Sequence, residues 1–148
     1  MSAFIYKIIP GQPEYELAEI VADKVLEGLR ACVSADSIEI RGYKEVTFID
    51  CGGNLQAIRC PSCGEVLDFD WWGEAMEKAG ESGFAELQAV TPCCGKSVSL
   101  NDLQYDMACG FARCEVVILN PQAEPAQEVL EEIEKMLGAS VKIVRAHY

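Results

Sequence analysis

The feature that most constrains the fold of this chain is a pair of cysteine loops. Cys60-Pro61-Ser62-Cys63-Gly64 is a C-x2-C turn of the kind that brings two thiolates to one cation. Glycine after the second cysteine permits a positive φ and lets backbone N–H groups point back at sulfur, and the proline stiffens the loop. About thirty residues on stands Thr91-Pro92-Cys93-Cys94-Gly95. Laid on the first loop, Pro92 matches Pro61, Cys94 matches Cys63 and Gly95 matches Gly64. Thr91 takes the place of Cys60, so the second loop lacks a leading cysteine, and Cys93 takes the place of Ser62.

The expected metal ligands are therefore Cys60, Cys63, Cys93 and Cys94, and the expected ion is zinc, with Zn–S bonds of about 2.3 Å. Cys93 is the simplest fourth ligand, although adjacent cysteines share an ion only if both side chains are driven to one side of the turn. Cys51, Cys109, Cys114 and His147 compete for that place. A closed four-thiolate site is structural, because a catalytic zinc keeps an open position for water. A redox role for Cys60 and Cys63 would want the motif at the start of a helix, whose dipole lowers a thiol pKa. Glu65-Val66-Leu67 does not read as a helix start. Buried thiols without a metal would leave the matching proline and glycine of the two loops unexplained. A lone cysteine such as Cys32 or Cys114 reads as a small buried hydrophobe.

Composition bounds what surrounds this centre. The 148 residues are 50% hydrophobic and 24% charged, which is the composition of one globular domain, residues 1–148. Lys+Arg is 12 against Asp+Glu 24, a formal net charge of -12. Phosphate binding needs a basic footprint, so nucleic acid is not an expected partner. The eight cysteines stand beside one histidine, which excludes mechanisms built on several histidines. The N-terminus MSAFIYKIIPGQPEY carries no signal-peptide pattern, and the apolar runs are too short for a membrane helix. The expectation is a soluble cytoplasmic protein, where cysteines serve as thiols and metal ligands more often than as disulfides.

The two ends of the chain share an outline. Phe4 to Ile9 reads as a strand, Pro10, Gly11 and Pro13 as a turn, and Glu14 to about Ala31 as an amphipathic helix with Pro13 at its first position. Leu17, Ile20, Val21, Val25 and Leu29 share its apolar face, and Ser37 to Asp50 follows as a strand bent at Gly42. Phe111 to Leu119 is again strand-like. Pro125 sets up a helix with Val129, Leu130, Ile133, Met136 and Leu137 on one face, Gly138 ends it, and Val141 to Ala146 closes the unit. Two strand–helix–strand units predict an α+β fold, a ferredoxin-like split βαβ sandwich. Residues 51–110, with six of the eight cysteines and both tryptophans, are then a zinc-ribbon-like insert. Inside it, Leu55 to Arg59 reads as strand, and Asp70 as the N-cap of a helix reaching about Ala79. Trp71, Trp72, Met76 and Phe84 read as a satellite core over the cysteine loops, or else the tryptophans form an exposed binding patch. Ser99-Leu100-Asn101-Asp102 has capping-box spacing.

Cys60-Pro61-Ser62-Cys63-Gly64, Trp71-Trp72, Thr91-Pro92-Cys93-Cys94-Gly95, Ser99-Leu100-Asn101-Asp102-Leu103 and Gly110-Phe111-Ala112-Arg113 together resemble a family of bacterial proteins of unknown function marked by CPxCG and TPCCG motifs. The resemblance implies that Cys93 and Cys94 belong to one site, and it implies no activity. Some members of that family carry the label of a sugar ABC transporter ATPase. The label does not extend to this chain: Gly95-Lys96-Ser97 could end a phosphate-binding loop only if a glycine stood where Val90 stands.

No catalytic constellation emerges. His147 has no nucleophile beside it in sequence, and Asp50, next to Cys51-Gly52-Gly53-Asn54, reads as a turn-forming aspartate. The functional expectation is a non-enzymatic, zinc-stabilised acidic protein that meets a basic protein partner, in the manner of an immunity protein, an analogy of size and acidity. The competing expectation is a small enzyme with a zinc or cysteine site between insert and sandwich.

Overall fold

The segment GFARCEVVIL is buried at nearly every position, a pattern that suits a central strand covered on both faces. A computed structural model describes residues 3–148, which form a mixed α+β architecture. In chain order it comprises β1 (Phe4–Pro10), α1 (Glu19–Cys32), β2 (Ser37–Ile49), β3 (Ile58–Arg59), α2 (Phe69–Glu81), β4 (Gln88–Val90), β5 (Ser97–Ser99), β6 (Gln104–Tyr105), β7 (Gly110–Leu119), α3 (Gln127–Leu137) and β8 (Val141–His147). The main sheet has the order β2-β7-β1-β8, and every neighbouring pair is antiparallel. Two small two-stranded antiparallel sheets, β3 with β6 and the β4–β5 hairpin, lie in the stretch between β2 and β7.

Side chains alternate across a strand, so the two faces of the main sheet feed different cores. Ile8, Ile38, Val116 and Ile118 point to one face and pack with Val25 and Leu29 of α1 and Ile133 of α3. β2 and β7 stay paired past a register shift between Gly42 and Thr47, in line with the expected bend at Gly42. Their extended ends carry Val46 and Phe111 into a second core with Ile58, Cys60, Leu67, Leu100 and Leu103. Trp71, Trp72, Met76 and Phe84 pack against that core.

Where β2 ends, the chain is clipped to β8. Gly53 N donates to His147 O at 3.0 Å and His147 N to Cys51 O at 3.3 Å. Gly52 has φ 64°, and a Cβ there would lie 2.3 Å from His147 O, so only glycine fits.

Local signals misplaced two helix starts. Pro13 does not open α1; it sits in a turn, and residues 15–18 stay irregular until the helix starts at Glu19. The non-helical stretch lets Tyr15 donate its hydroxyl to Leu137 O at 2.8 Å and Glu16 pair with Arg113. Those tertiary contacts outweigh one more helical turn. Ile20, assigned to the apolar face, is 68% exposed, while Val25 and Leu29 are buried. For α2 the cap is Asp68 and not Asp70: its carboxylate accepts from Asp70 N at 2.8 Å. Gly138 ends α3 as expected, in the left-handed conformation at φ 68°. Ser99 accepts from Asn101 N and opens a single 3-10 turn, Leu100–Asp102.

Candidate metal centre

The two cysteine loops fold as the same turn. In the first, Gly64 N donates to Cys60 O at 2.9 Å and Cys60 N to Glu65 O at 2.9 Å. In the second, Gly95 N donates to Thr91 O at 3.0 Å and Thr91 N to Lys96 O at 3.0 Å. Gly64 and Gly95 both take positive φ, 79° and 70°. The first loop is flanked by β3 and its bridge from Arg59 to Val66, the second by the β4–β5 hairpin, so each is held at its base by strand pairing.

This symmetry brings the sulfurs together. The Sγ atoms of Cys60, Cys63, Cys93 and Cys94 all lie within 4.8 Å of one another. Cys60 stands 3.8 Å from Cys94 and Cys63 stands 3.3 Å from Cys93, so each close pair draws one sulfur from each loop. Four sulfurs around one tetrahedral ion, with bonds of about 2.3 Å, would be spaced by about 3.8 Å. The cluster could therefore hold a metal ion. Cys93 reaches it because the second loop turns both adjacent thiols inward.

The surroundings favour thiolate. The Cys60 thiol is drawn down to about 6 by the N–H of Cys63 and then that of Ser62, whose nitrogen is 3.4 Å from Sγ. Cys94 is lowered by the Thr91 hydroxyl, 3.3 Å away, and by the Lys96 N–H. At Cys63 the Glu65 N–H pulls downward, but Cys93, burial and the other two thiols together push the group up to about 12. Four thiols crowded without a cation cannot all ionise; a divalent ion would remove that conflict.

Thr91 is the member of the site whose side chain the cysteine pattern did not flag. It is 1% exposed and sits where the first loop has the fully buried Cys60. Its Oγ1 spans Cys94 Sγ and Lys96 O, at 3.3 and 3.4 Å. The alignment of the two loops is the signal that finds it.

Among the described residues, the other candidates lie outside the cluster. Cys51 and Cys109 are buried at the junction with β2 and β7, and burial pushes both thiols up. Cys114 is buried in β7, raised to about 11 by burial and the Glu115 charge. His147 lies in β8, its ring 6.1 Å from that of Phe4. Cys32 is exposed and not a buried hydrophobe; its thiol donates to Gly28 O at 3.2 Å. Asp50 forms the expected turn, accepting from Gly52 N at 3.0 Å. Trp72 donates to the Tyr105 hydroxyl at 3.3 Å and meets Phe48 edge-on at 5.7 Å.

Comparison of the chain with models of protein families, with curated proteins and with solved structures gave no match. No helix among the described residues is long and apolar enough to cross a membrane.

Proposed function

We propose that Cys60, Cys63, Cys93 and Cys94 hold one structural zinc ion, and that the chain is a non-enzymatic acidic module that binds a basic protein partner. The observation that carries this reading is the four-sulfur cluster contributed by two matching loops. Four thiolates leave a tetrahedral ion no open position for water, which suits a structural ion and not a catalytic one. The strand order β2-β7-β1-β8, with α1 and α3 against one face, supports reading the outer elements as a ferredoxin-like split βαβ unit. Residues 51–110 are then its zinc-ribbon-like insert. The formal charge of -12 falls to about -14 once four thiolates and one divalent ion are counted. Such a field speeds encounter with basic proteins and repels nucleic acid, as an immunity-like role in the cytoplasm would require.

The test is metal analysis of the native protein with X-ray absorption. One zinc per chain with four sulfur neighbours is the expected result. Three sulfurs and one oxygen would move the assignment to a catalytic site, and iron, which the same ligand set accepts, would replace zinc. Cys60→Ser and Cys94→Ser should each release the metal and unfold the segment around it, because structural zinc contributes on the order of 10 kcal/mol of folding free energy. Full zinc content in both variants would overturn the ligand set.

A further inference from the structure

Three polar or charged residues are buried among those described: Lys7, Thr91 and Glu115. Thr91 belongs to the cysteine cluster. The other two line one cleft, on the face of the main sheet that α1 and α3 leave free. Alternation along the strands puts Ile5 and Lys7 of β1, Glu39 and Arg41 of β2, and Glu115, Val117 and Leu119 of β7 on that face. Tyr43, Asp50 and Tyr148 also line it, and the volume of the open cleft is ≈ 530 Å³.

The charges in this cleft do not cancel. Lys7 spends all three donors inside the protein, on Asp50 O at 2.9 Å, Asp50 Oδ1 at 3.2 Å and the Tyr148 hydroxyl at 2.7 Å. Tyr148 in turn donates to Asp50 Oδ2 at 2.9 Å. That network is closed and neutral, and it walls the cleft without offering a ligand group. Arg41 lies directly across the strand pair from Glu115 and lines the cleft; its guanidinium stands 3.6 Å from Glu39 and acts on the Tyr43 hydroxyl, but makes no hydrogen bond or ion pair with Glu115. Glu115 is left. It is 5% exposed, and its Oε2 accepts from the Tyr43 hydroxyl at 2.6 Å. Its Oε1 has no protein donor among the described residues and is not sealed from the cleft. A buried carboxylate with half its acceptor capacity unused is costly unless something supplies the missing donor and charge.

We propose that this cleft binds a small organic ammonium ion, with Glu115 as its counter-ion and Ile5, Val117 and Leu119 as the floor for its hydrocarbon body. The floor argues against a bare metal ion, since hard cations require six or more oxygen ligands and the cleft buries one free oxygen, Glu115 Oε1. An anion would meet the one carboxylate without a partner. A neutral apolar molecule would leave Oε1 as unsatisfied as before. The site is independent of the cysteine cluster, so its failure and that of the zinc assignment are read separately.

The experiment is titration of the full ¹⁵N-labelled chain with benzylammonium, benzyl alcohol and benzoate, followed by amide chemical shifts. Benzylammonium should give saturable shifts around Tyr43 and residues 115–119, with a midpoint on the order of 1 mM, and the alcohol and the acid should not. Glu115→Gln keeps the size of the side chain and the acceptor for Tyr43, and should weaken binding at least about tenfold with the rest of the spectrum unchanged. Absence of saturable shifts up to ~20 mM overturns the proposal, as does an equal response to benzyl alcohol or an unweakened Glu115→Gln. Should Glu115→Gln fail to fold, the comparison of the three compounds on the unaltered chain decides alone.

Discussion

Thr91 and Cys60 occupy the same position in two copies of one turn, and both are buried from water to within 1%. The difference between them is a hydroxyl and a methyl for a thiol, and the second loop brings its second sulfur to the cluster one residue before Cys94, at Cys93. This makes the centre repairable. Cys93→Ser should lose the metal, and adding Thr91→Cys to it should restore a four-sulfur site with the spacing of the first loop. Zinc stoichiometry and the cobalt-substituted absorption spectrum read the rescue; a double variant as empty as Cys93→Ser would show that the loops are not equivalent at their first position. At the same scale, Lys7 and Glu115 make opposite use of burial. Lys7 closes every donor on Asp50 and Tyr148, whereas Glu115 closes one oxygen of two.

The three helices are not equally anchored at their starts. Asp68 caps α2, but Ala18 before α1 and Ala126 before α3 provide no side-chain acceptor. Ala18 is exposed and already has the extended backbone of a cap, φ -70° and ψ 142°. Ala18→Ser should therefore stabilise the protein by about 1 kcal/mol and raise the melting temperature by about 3 °C. An unchanged melting temperature would mean that the first turn of α1 frays in the native state. The same comparison shows what could be read from sequence. The cysteine loops, the bend at Gly42 and the end of α3 at Gly138 depend on neighbours a few residues away, and their sequence signals were correct. The start of α1 depends on Tyr15 reaching Leu137 and Glu16 reaching Arg113, contacts that no local pattern contains. The Glu115 cleft was illegible for the same reason. Its walls come from residues 7, 43, 50, 115 and 148, and the only trace in sequence is a single charge inside each of two apolar runs, FIYKII and CEVVIL.

At the scale of the molecule, the described residues form three buried clusters, and two of them lie on either side of the register shift in β2. One joins the sheet to α1 and α3; the other joins the ends of β2 and β7 to α2 and the cysteine loops. Of these two, only the second contains a member of the four-cysteine cluster, Cys60. Chelation should therefore raise amide hydrogen exchange across residues 58–105 while the amides shared by β1 and β7 stay protected. Uniform loss of protection would show instead that Val46 and Phe111 couple the two cores into one cooperative unit.

The pairing of β2 with β7 has a kinetic consequence. Residues 50–109 separate the two strands, so the loop must close before the central ladder of the sheet can form. An ion that ties Cys60 to Cys94 shortens that loop by about half, which is worth ~0.6 kcal/mol of closure entropy. If the ion binds before the strands meet, refolding with zinc present should run about threefold faster than without it, as read by stopped-flow fluorescence of Trp71 and Trp72. Equal rates would mean that the sheet assembles first and that the ion arrives at a finished site. The cysteine loops would then set the lifetime of the fold without setting the speed at which it is reached.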